Sequence, residues 1–134
     1  MKAKWMGLLA GGLMMAAVPG FAHHSFSAEY DRSKAITLKG SVTKVEWMNP
    51  HARFYVDVKD DGGKVTNWEF ELGSPNGLMR QGWTRNSLKI GDVVQVNGSR
   101  AKDGSNLVNA SNVAFEDGKR VLGGASSADD PNTK

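Results

Sequence analysis

The chain has 134 residues, with 17 basic and 14 acidic side chains, three histidines and no cysteine. This length allows one domain, and the lack of cysteine excludes a disulfide framework, so a hydrophobic core alone must stabilise the fold. Two of the basic charges are lysines in the first four residues; without them the chain is nearly neutral, which gives no argument for nucleic-acid or anionic-membrane binding.

Residues 1–22 are predicted to be a secretory signal peptide. Two lysines precede an apolar run, Trp5–Val18, and the segment ends with small residues at Gly20 and Ala22. The run is shorter than the roughly 20 residues that span a bilayer, so a retained membrane anchor is the less favoured alternative. We expect cleavage after Ala22 and a periplasmic or secreted protein that is free of the membrane.

The first predicted strand is long and bent. Residues 23–35 are polar and irregular, and alternation of apolar and polar residues begins at Ile36. The phase of the alternation slips near Thr43-Lys44, as it does at a β-bulge. The strand is therefore predicted over residues 36–47, and Asn49-Pro50 ends it.

Two further strands form a predicted hairpin. Residues 52–58 alternate cleanly between apolar and polar side chains, and residues 65–72 do the same. The sequence Asp60-Asp61-Gly62-Gly63 between them is a hairpin turn signal.

One short helix is predicted after the third strand. Ser74 is a good N-cap, Pro75 suits the first turn, and Gly82 is suited to end the helix. The helix has about two turns and carries Leu78 and Met79.

The rest of the domain is predicted to be β-structure. The fourth strand covers Val93–Val96 and the fifth covers Leu107–Phe115, and Val121-Leu122 forms a last short hairpin strand. The composition of residues 123–134 is typical of a disordered tail.

This order of elements predicts an all-β fold. A long bent first strand, and a helix between the third and fourth of five strands, are the arrangement of a small OB-like Greek-key barrel over residues 36–122. An open five-stranded meander with a packed helix is the alternative.

The motifs of the chain resemble those of a bacterial family of small exported proteins of unknown function. The segments that carry the resemblance are HHSF (23–26), LKGSVTKVEWMNPHARFYVDV (38–58), WEFELGSPNGLMRQGWTRNSLKIGD (68–92) and SRAKDGSN (99–106). The resemblance implies an exported single domain and brings no activity. At the level of the fold, the chain is also similar to periplasmic OB-fold proteins that bind copper or silver through histidine, methionine and tryptophan; Trp47, Met48 and His51 are the matching residue types here.

The histidines predict a copper site. Cleavage after Ala22 would leave His23 with a free amine, whose ordinary pKa of about 7.7 to 8.0 allows it to bind metal. The amine and ring of His23 would chelate one ion, and His51 would bind opposite, with His24 as its competitor. Three nitrogen ligands of this kind suit Cu(II).

A soft-metal site and a purely structural role are the alternatives for these residues. Trp47 and Met48 would favour Cu(I) or Ag(I), because thioether sulfur is a soft ligand. Otherwise the two terminal histidines are a solvated start of the chain, His51 hydrogen-bonds in a turn, and Trp47 packs in the core.

Three functions follow from these interpretations. The first is a metal-binding protein for copper carriage or homeostasis, whose partner is a metal ion or a periplasmic protein. The second is a metal-free OB module that binds a ligand or a protein through Tyr55, Arg53, Trp83 and Arg85. An enzyme is the least favoured, since so small a domain has no evident substrate cleft. No nucleophile is predicted beside the carboxylates of Glu69 and Glu71 either, and both are expected to face solvent.

Overall fold

The computed structural model describes residues 26–118 and 120–124. These residues form two short helices and six strands. In chain order the elements are α1 (Phe26–Glu29), β1 (Tyr30–Glu46), β2 (Arg53–Lys59), β3 (Val65–Glu71), α2 (Pro75–Arg80), β4 (Val93–Ala101), β5 (Leu107–Phe115) and β6 (Val121–Gly123).

The first five strands close into a barrel. β1 pairs antiparallel with β4 through most of its length and with β2 from Gly40 onward, so the long strand serves two neighbours. β3 pairs antiparallel with β2 and parallel with β5, which gives the closed order β1-β2-β3-β5-β4. This order confirms the OB-like Greek-key barrel. The open meander is wrong, because β4 returns to β1 and β3 joins β5.

The predicted bulge in β1 is present. The register with β2 shifts between Val42 and Lys44. Val42 is buried on one side of the shift, and beyond it Val45 and Trp47 pack against the same core. One extra residue changes the phase of the strand, which lets both halves of β1 turn apolar side chains inward.

The core fills the barrel with alternate residues from each strand. The rings of Phe54 and Phe70 stack at its centre, with centroids 5.0 Å apart. Both rings are fully buried, as are Val56, Val96, Val108 and Val113. The alternation of apolar and polar residues in β2 and β3 therefore identifies correctly which side chains point into the barrel.

The short helix α2 forms between β3 and β4, as predicted. Ser74 caps it, since its hydroxyl accepts a hydrogen bond from the Gly77 amide at 3.2 Å. Leu78 is fully buried in the core, whereas Met79 is exposed. After the helix, Gly82 adopts a positive φ of 96°, a conformation that favours glycine.

β1 begins earlier than the sequence pattern predicts. The strand starts at Tyr30 rather than Ile36, and residues 23–35 are therefore not irregular throughout. From Asp31 to Ala35 the side chains are exposed or half-buried, and the pairing with β4 is irregular between Tyr30 and Ala35. Because neither face of this segment is buried, its sequence shows no alternation.

Two other strand ends differ from the prediction. β4 continues to Ala101 instead of ending at Val96, and a register shift between Asn97 and Gly98 obscures the pattern. A Cβ on Gly98 would lie 2.1 Å from the carbonyl oxygen of Asn109, so this close strand approach requires glycine. Gly123, predicted to start the tail, ends β6.

Several predictions lie outside the described residues. These are the signal peptide over residues 1–22, the first three residues after the expected cleavage point, and the tail from residue 125 onward. Among the helices that the structure describes, none has the length and apolar character needed to cross a bilayer.

Candidate functional site

His51 lies in the loop between β1 and β2 with one ring nitrogen engaged. Its Nδ1 lies 3.1 Å from Oε1 of Glu71, and the two side chains are 40% and 8% exposed. A carboxylate oxygen accepts from Nδ1–H in this geometry, and in the neutral form of the ring Nε2 then has the lone pair. Nε2 makes no hydrogen bond to the described part of the chain and belongs to a partly exposed ring.

Glu71 is a buried carboxylate held by an ion pair. It is the last residue of β3 and lies directly opposite Arg53, the first residue of β2. Nη2 of Arg53 lies 3.2 Å from Oε2 of Glu71, and Nη1 lies 2.7 Å from Oε1 of Glu69. Partial burial lowers the pKa of Arg53, but Glu71 and Glu69 outweigh it, so the pKa is raised overall. The guanidinium of Arg53 thus forms ion pairs with two carboxylates.

Tyr30 is a buried residue close enough to this cluster for its charges to act on the phenol. The residue is 2% exposed, and its hydroxyl has no partner with hydrogen-bond geometry among the described residues. The Glu71 carboxylate is nevertheless close enough to act on it. Burial, followed by the negative charges of Glu71 and Glu29, raises the pKa of Tyr30 well above its ordinary value. Tyr30 is therefore a neutral phenol that faces a buried carboxylate.

Tyr30→Phe is expected to reduce the loss of stability that the wild-type protein shows above about pH 10. The pKa of Tyr30 is higher in the folded state than the unfolded value near 10, so the folded state retains a proton that the unfolded chain releases. The free energy of unfolding then falls as pH rises, by up to about 1.4 kcal/mol per pH unit. Urea unfolding of both proteins between about pH 8 and pH 11 measures the difference.

Tyr55→Phe is the matched control for this measurement. The pKa of Tyr55 is also raised, by burial and then by Glu69 and Glu46, but the side chain is only half-buried. Its removal should change the alkaline slope less than removal of Tyr30 does. Equal slopes for the wild type and Tyr30→Phe would contradict the interpretation of the buried phenol.

The other predicted metal-site residues are divided between the core and the surface. Trp47 is partly buried and packs against the core, and Met48 is 54% exposed in the loop before His51. His23 and His24 lie outside the described residues. No group of three or more histidine and carboxylate side chains within residues 26–118 and 120–124 is arranged to hold a metal ion.

Three of the four residues predicted for metal-free ligand binding, Arg53, Trp83 and Arg85, line one small cavity, and Tyr55 is not among its lining residues. Tyr55 is half-buried, with the ammonium of Lys44 5.2 Å from its ring centroid, and Arg53 forms the ion pairs described above. Trp83 is 2% exposed and its indole donates to the carbonyl of Gly123 at 2.8 Å. Arg85 is exposed, and the cavity that it lines with Arg53 and Trp83 holds about 10 Å³, about the space of one water molecule.

Sequence reasoning missed Glu71 and Tyr30. Glu71 was predicted to face solvent, yet it is 6% exposed. Its pairing with Arg53 was predictable, since the hairpin turn at residues 60–63 sets the register of β2 and β3. Tyr30, which is 2% exposed, lies in a strand segment that the sequence pattern did not reveal.

Comparison with known proteins gives a family and weak structural similarities. Residues 10–109 match the model described as "Family of unknown function (DUF6152)". The crystal structure of the ZRD-deleted mutant of TiaS in complex with agmatine is similar at 22% identity and a TM-score of 0.44, over 63% of this chain and 22% of that chain. The crystal structure of TiaS in complex with a tRNA and ATP is similar at 22% identity and a TM-score of 0.43, over 63% of this chain and 18% of that chain.

This chain therefore spans about a fifth of the length of those two proteins. The comparison with proteins of curated function finds no match.

Proposed function

We propose that this chain, which belongs to the DUF6152 family of unknown function, is an exported metal-binding protein that holds a copper ion at His51 for copper carriage or homeostasis. The observation that supports this function is the engagement of Nδ1 of His51 with the buried Glu71 carboxylate, at 3.1 Å. In the neutral form of the ring, the opposite nitrogen, Nε2, has a lone pair for a ligand.

The His51–Glu71 pair has the chemistry of a metal-binding histidine. Such histidines usually donate their second ring N–H to a carboxylate or carbonyl, which fixes the tautomer and raises the basicity of the ligating nitrogen. The Glu69 and Glu71 carboxylates with the single guanidinium of Arg53 leave net negative charge behind the ring, which favours a bound cation.

The donor set supports a nitrogen-preferring ion. Glu71 accepts from His51 with one oxygen and from Arg53 with the other, and its side chain is 8% exposed. The carboxylate is therefore unsuited to bind the ion directly. Imidazole and amine nitrogens would remain as the ligands. Nitrogen ligands select Cu(II) over hard cations such as Mg²⁺ or Ca²⁺.

The described chain begins beside Tyr30. The ring of Phe26 is 5.4 Å from that of Tyr30, and Tyr30 lies beside Glu71. His23 precedes Phe26 by three residues, and three residues reach at most roughly 11 Å. We propose the amine and the ring of His23 as the further ligands after cleavage behind Ala22.

Titration of Cu(II) and Cu(I) into a chain beginning at His23 tests the proposal. The matched control carries one additional residue before His23, which blocks the amine chelate and changes nothing in the barrel. We expect tight Cu(II) binding by the first protein and weak binding by the control. Equal Cu(II) affinity of the two proteins would exclude the terminal chelate.

The same titration distinguishes the soft-metal site at Met48 and Trp47 from the chelate at His23. Binding of Cu(I) that is lost in Met48→Ala but kept in the extended chain would assign the site to Met48 and Trp47. Met48 is 54% exposed, so its sulfur is accessible to an added ion and its replacement should not disturb the core.

Metal-free ligand binding is the second candidate, supported by Tyr55. It lies on β2, at the face that OB-folds use for ligands, between the ammonium of Lys44 and the carboxylate of Glu69. A ligand that binds equally with and without metal, and whose affinity falls in Tyr55→Ala, would favour this function over copper binding.

A further inference from the structure

The outer face of β1, β4 and β5 carries two neighbouring rows of side chains whose partners differ. In the first row, the hydroxyl of Thr37 donates to the side chain of Asn97 at 2.7 Å, and the amide of Asn97 donates to Asn112 at 2.9 Å. Directly paired residues of antiparallel strands place their side chains on the same face of the sheet. The polar groups of this first row therefore bond to one another.

The second row lies two residues further along the strands and has no such bonds. Lys39 pairs with Gln95, and Gln95 pairs with Ala114. Glu116 follows the end of β5, and its amide donates to the carbonyl of Val93 at 3.1 Å. In the part of the chain that the structure describes, the side chains of Lys39, Gln95 and Glu116 form no hydrogen bond and no ion pair.

These three side chains line a cavity of about 200 Å³. They are long and exposed, whereas Val93 and Ala114, which also line the cavity, are short and half-buried. Short side chains surrounded by longer ones make this part of the sheet concave. The volume equals that of about seven water molecules in the liquid. It therefore suits a ligand the size of an amino acid, and it is below the roughly 300 Å³ at which pockets for drug-sized ligands begin.

The two ends of the cavity carry charges of opposite sign. Lys39 provides an ammonium from β1, and Glu116 provides a carboxylate from the end of β5. β4 lies between these two strands, so their backbones are roughly 10 Å apart at about 4.8 Å per strand. Gln95 extends from β4 between the charges, and its amide can both donate and accept.

We infer that this cavity is a binding site for a small zwitterion of the α-amino acid class. The carboxylate of the ligand pairs with Lys39, its ammonium pairs with Glu116, and Gln95 hydrogen-bonds between them. A ligand with one charge leaves the other side chain without a counter-ion, which is the basis of selectivity. The site includes neither His51 nor Glu71 and requires no metal, so it is independent of the proposed function.

An apolar surface beside the cavity favours an amino acid with an apolar side chain. Ala114 pairs with Val121 on β6, so the two side chains lie on the same face. Val121 is 64% exposed. The side chain of a ligand such as leucine can cover Ala114 and Val121 while its charged groups pair with Lys39 and Glu116.

Titration of L-leucine into the metal-free protein, followed by amide NMR shifts, tests the inference. Two analogues are the matched ligands: 4-methylpentanoate lacks the ammonium, and L-leucinamide lacks the carboxylate. We expect millimolar L-leucine to shift residues 93–95 and 114–116, and each analogue to bind about three- to fivefold more weakly, the effect of one lost ion pair at an exposed site. The absence of shifts at these residues, or equal affinity for all three ligands, would overturn the inference.

Variants of the two charged residues assign each ion pair. Lys39→Met should weaken L-leucine binding about three- to fivefold and abolish the preference for L-leucine over L-leucinamide. Glu116→Gln should abolish the preference over 4-methylpentanoate. Both residues are exposed, so the fold should be retained.

Lys59→Met is the control variant, because Lys59 is an exposed lysine at the end of β2 that does not line the cavity. It should bind all three ligands like the wild type. If Lys39→Met and Lys59→Met show the same affinities, Lys39 does not hold the carboxylate and the inference is wrong. A second check exchanges the charges: the double variant Lys39→Glu, Glu116→Lys should bind L-leucine more tightly than either single reversal, and a double variant as weak as both would contradict the site.

Discussion

His51→Ala is expected to lower Cu(II) affinity by more than about 100-fold in a chain that begins at His23. Groups that act on a metal only through a ligand contribute about 10- to 100-fold to affinity, and the loss of a direct nitrogen ligand should exceed that. The fold should persist, because the ring is 40% exposed and Glu71 keeps its ion pair with Arg53. Competition with a chelator of known affinity measures the change, and circular dichroism checks the fold.

Two further variants make this result specific. Glu71→Gln keeps an oxygen that accepts from Nδ1 but removes the charge, so its affinity should lie between those of the wild type and His51→Ala. His24→Ala identifies the competing imidazole. If the large loss follows His24→Ala and His51→Ala binds like the wild type, the assignment of His51 is wrong.

Phe70→Ala is expected to be the most destabilising single change in the barrel core. Phe70 is fully buried and stacks on Phe54 at 5.0 Å, so truncation leaves a large cavity. Removal of a buried phenylalanine costs about 3 to 5 kcal/mol, a large part of the roughly 5 to 15 kcal/mol by which such domains are stable. Urea unfolding should show a much lower midpoint.

Val65→Ala is the control on the same strand. Val65 is 55% exposed, and surface substitutions of this kind usually change stability by no more than about 0.5 kcal/mol. A loss below about 1 kcal/mol for Phe70→Ala, against the 3 to 5 kcal/mol that is typical of a buried phenylalanine, would mean that the Phe54–Phe70 stack is not the centre of the core.

The fold was predictable from sequence wherever a strand buries one face. β2 and β3 expose one side and bury the other, so the apolar positions that include Phe54 and Phe70 repeat every second residue. The phase slip at Thr43 was interpreted correctly, because a bulge moves the next apolar residue by one position. The start of β1 at Tyr30 left no such pattern, since Asp31–Ala35 bury neither face.

The candidate site was only partly predictable, for a physical reason. Histidine is rare in this chain, which made His51 a natural candidate. Glu71 follows Phe70 in the alternation and does point away from the core. It is nevertheless only 6% exposed, and single-strand periodicity contains no information about cover by distant parts of the chain.

Pulsed electron paramagnetic resonance of the Cu(II)-loaded chain that begins at His23 tests the central claim most directly, because it detects the remote nitrogen of each coordinated imidazole. We expect a signal from the remote nitrogen of the His51 ring, hydrogen-bonded to Glu71, that disappears in His51→Ala. A bound copper spectrum that is the same in the wild type and in His51→Ala would contradict the claim, as would a wild-type chain that binds no Cu(II).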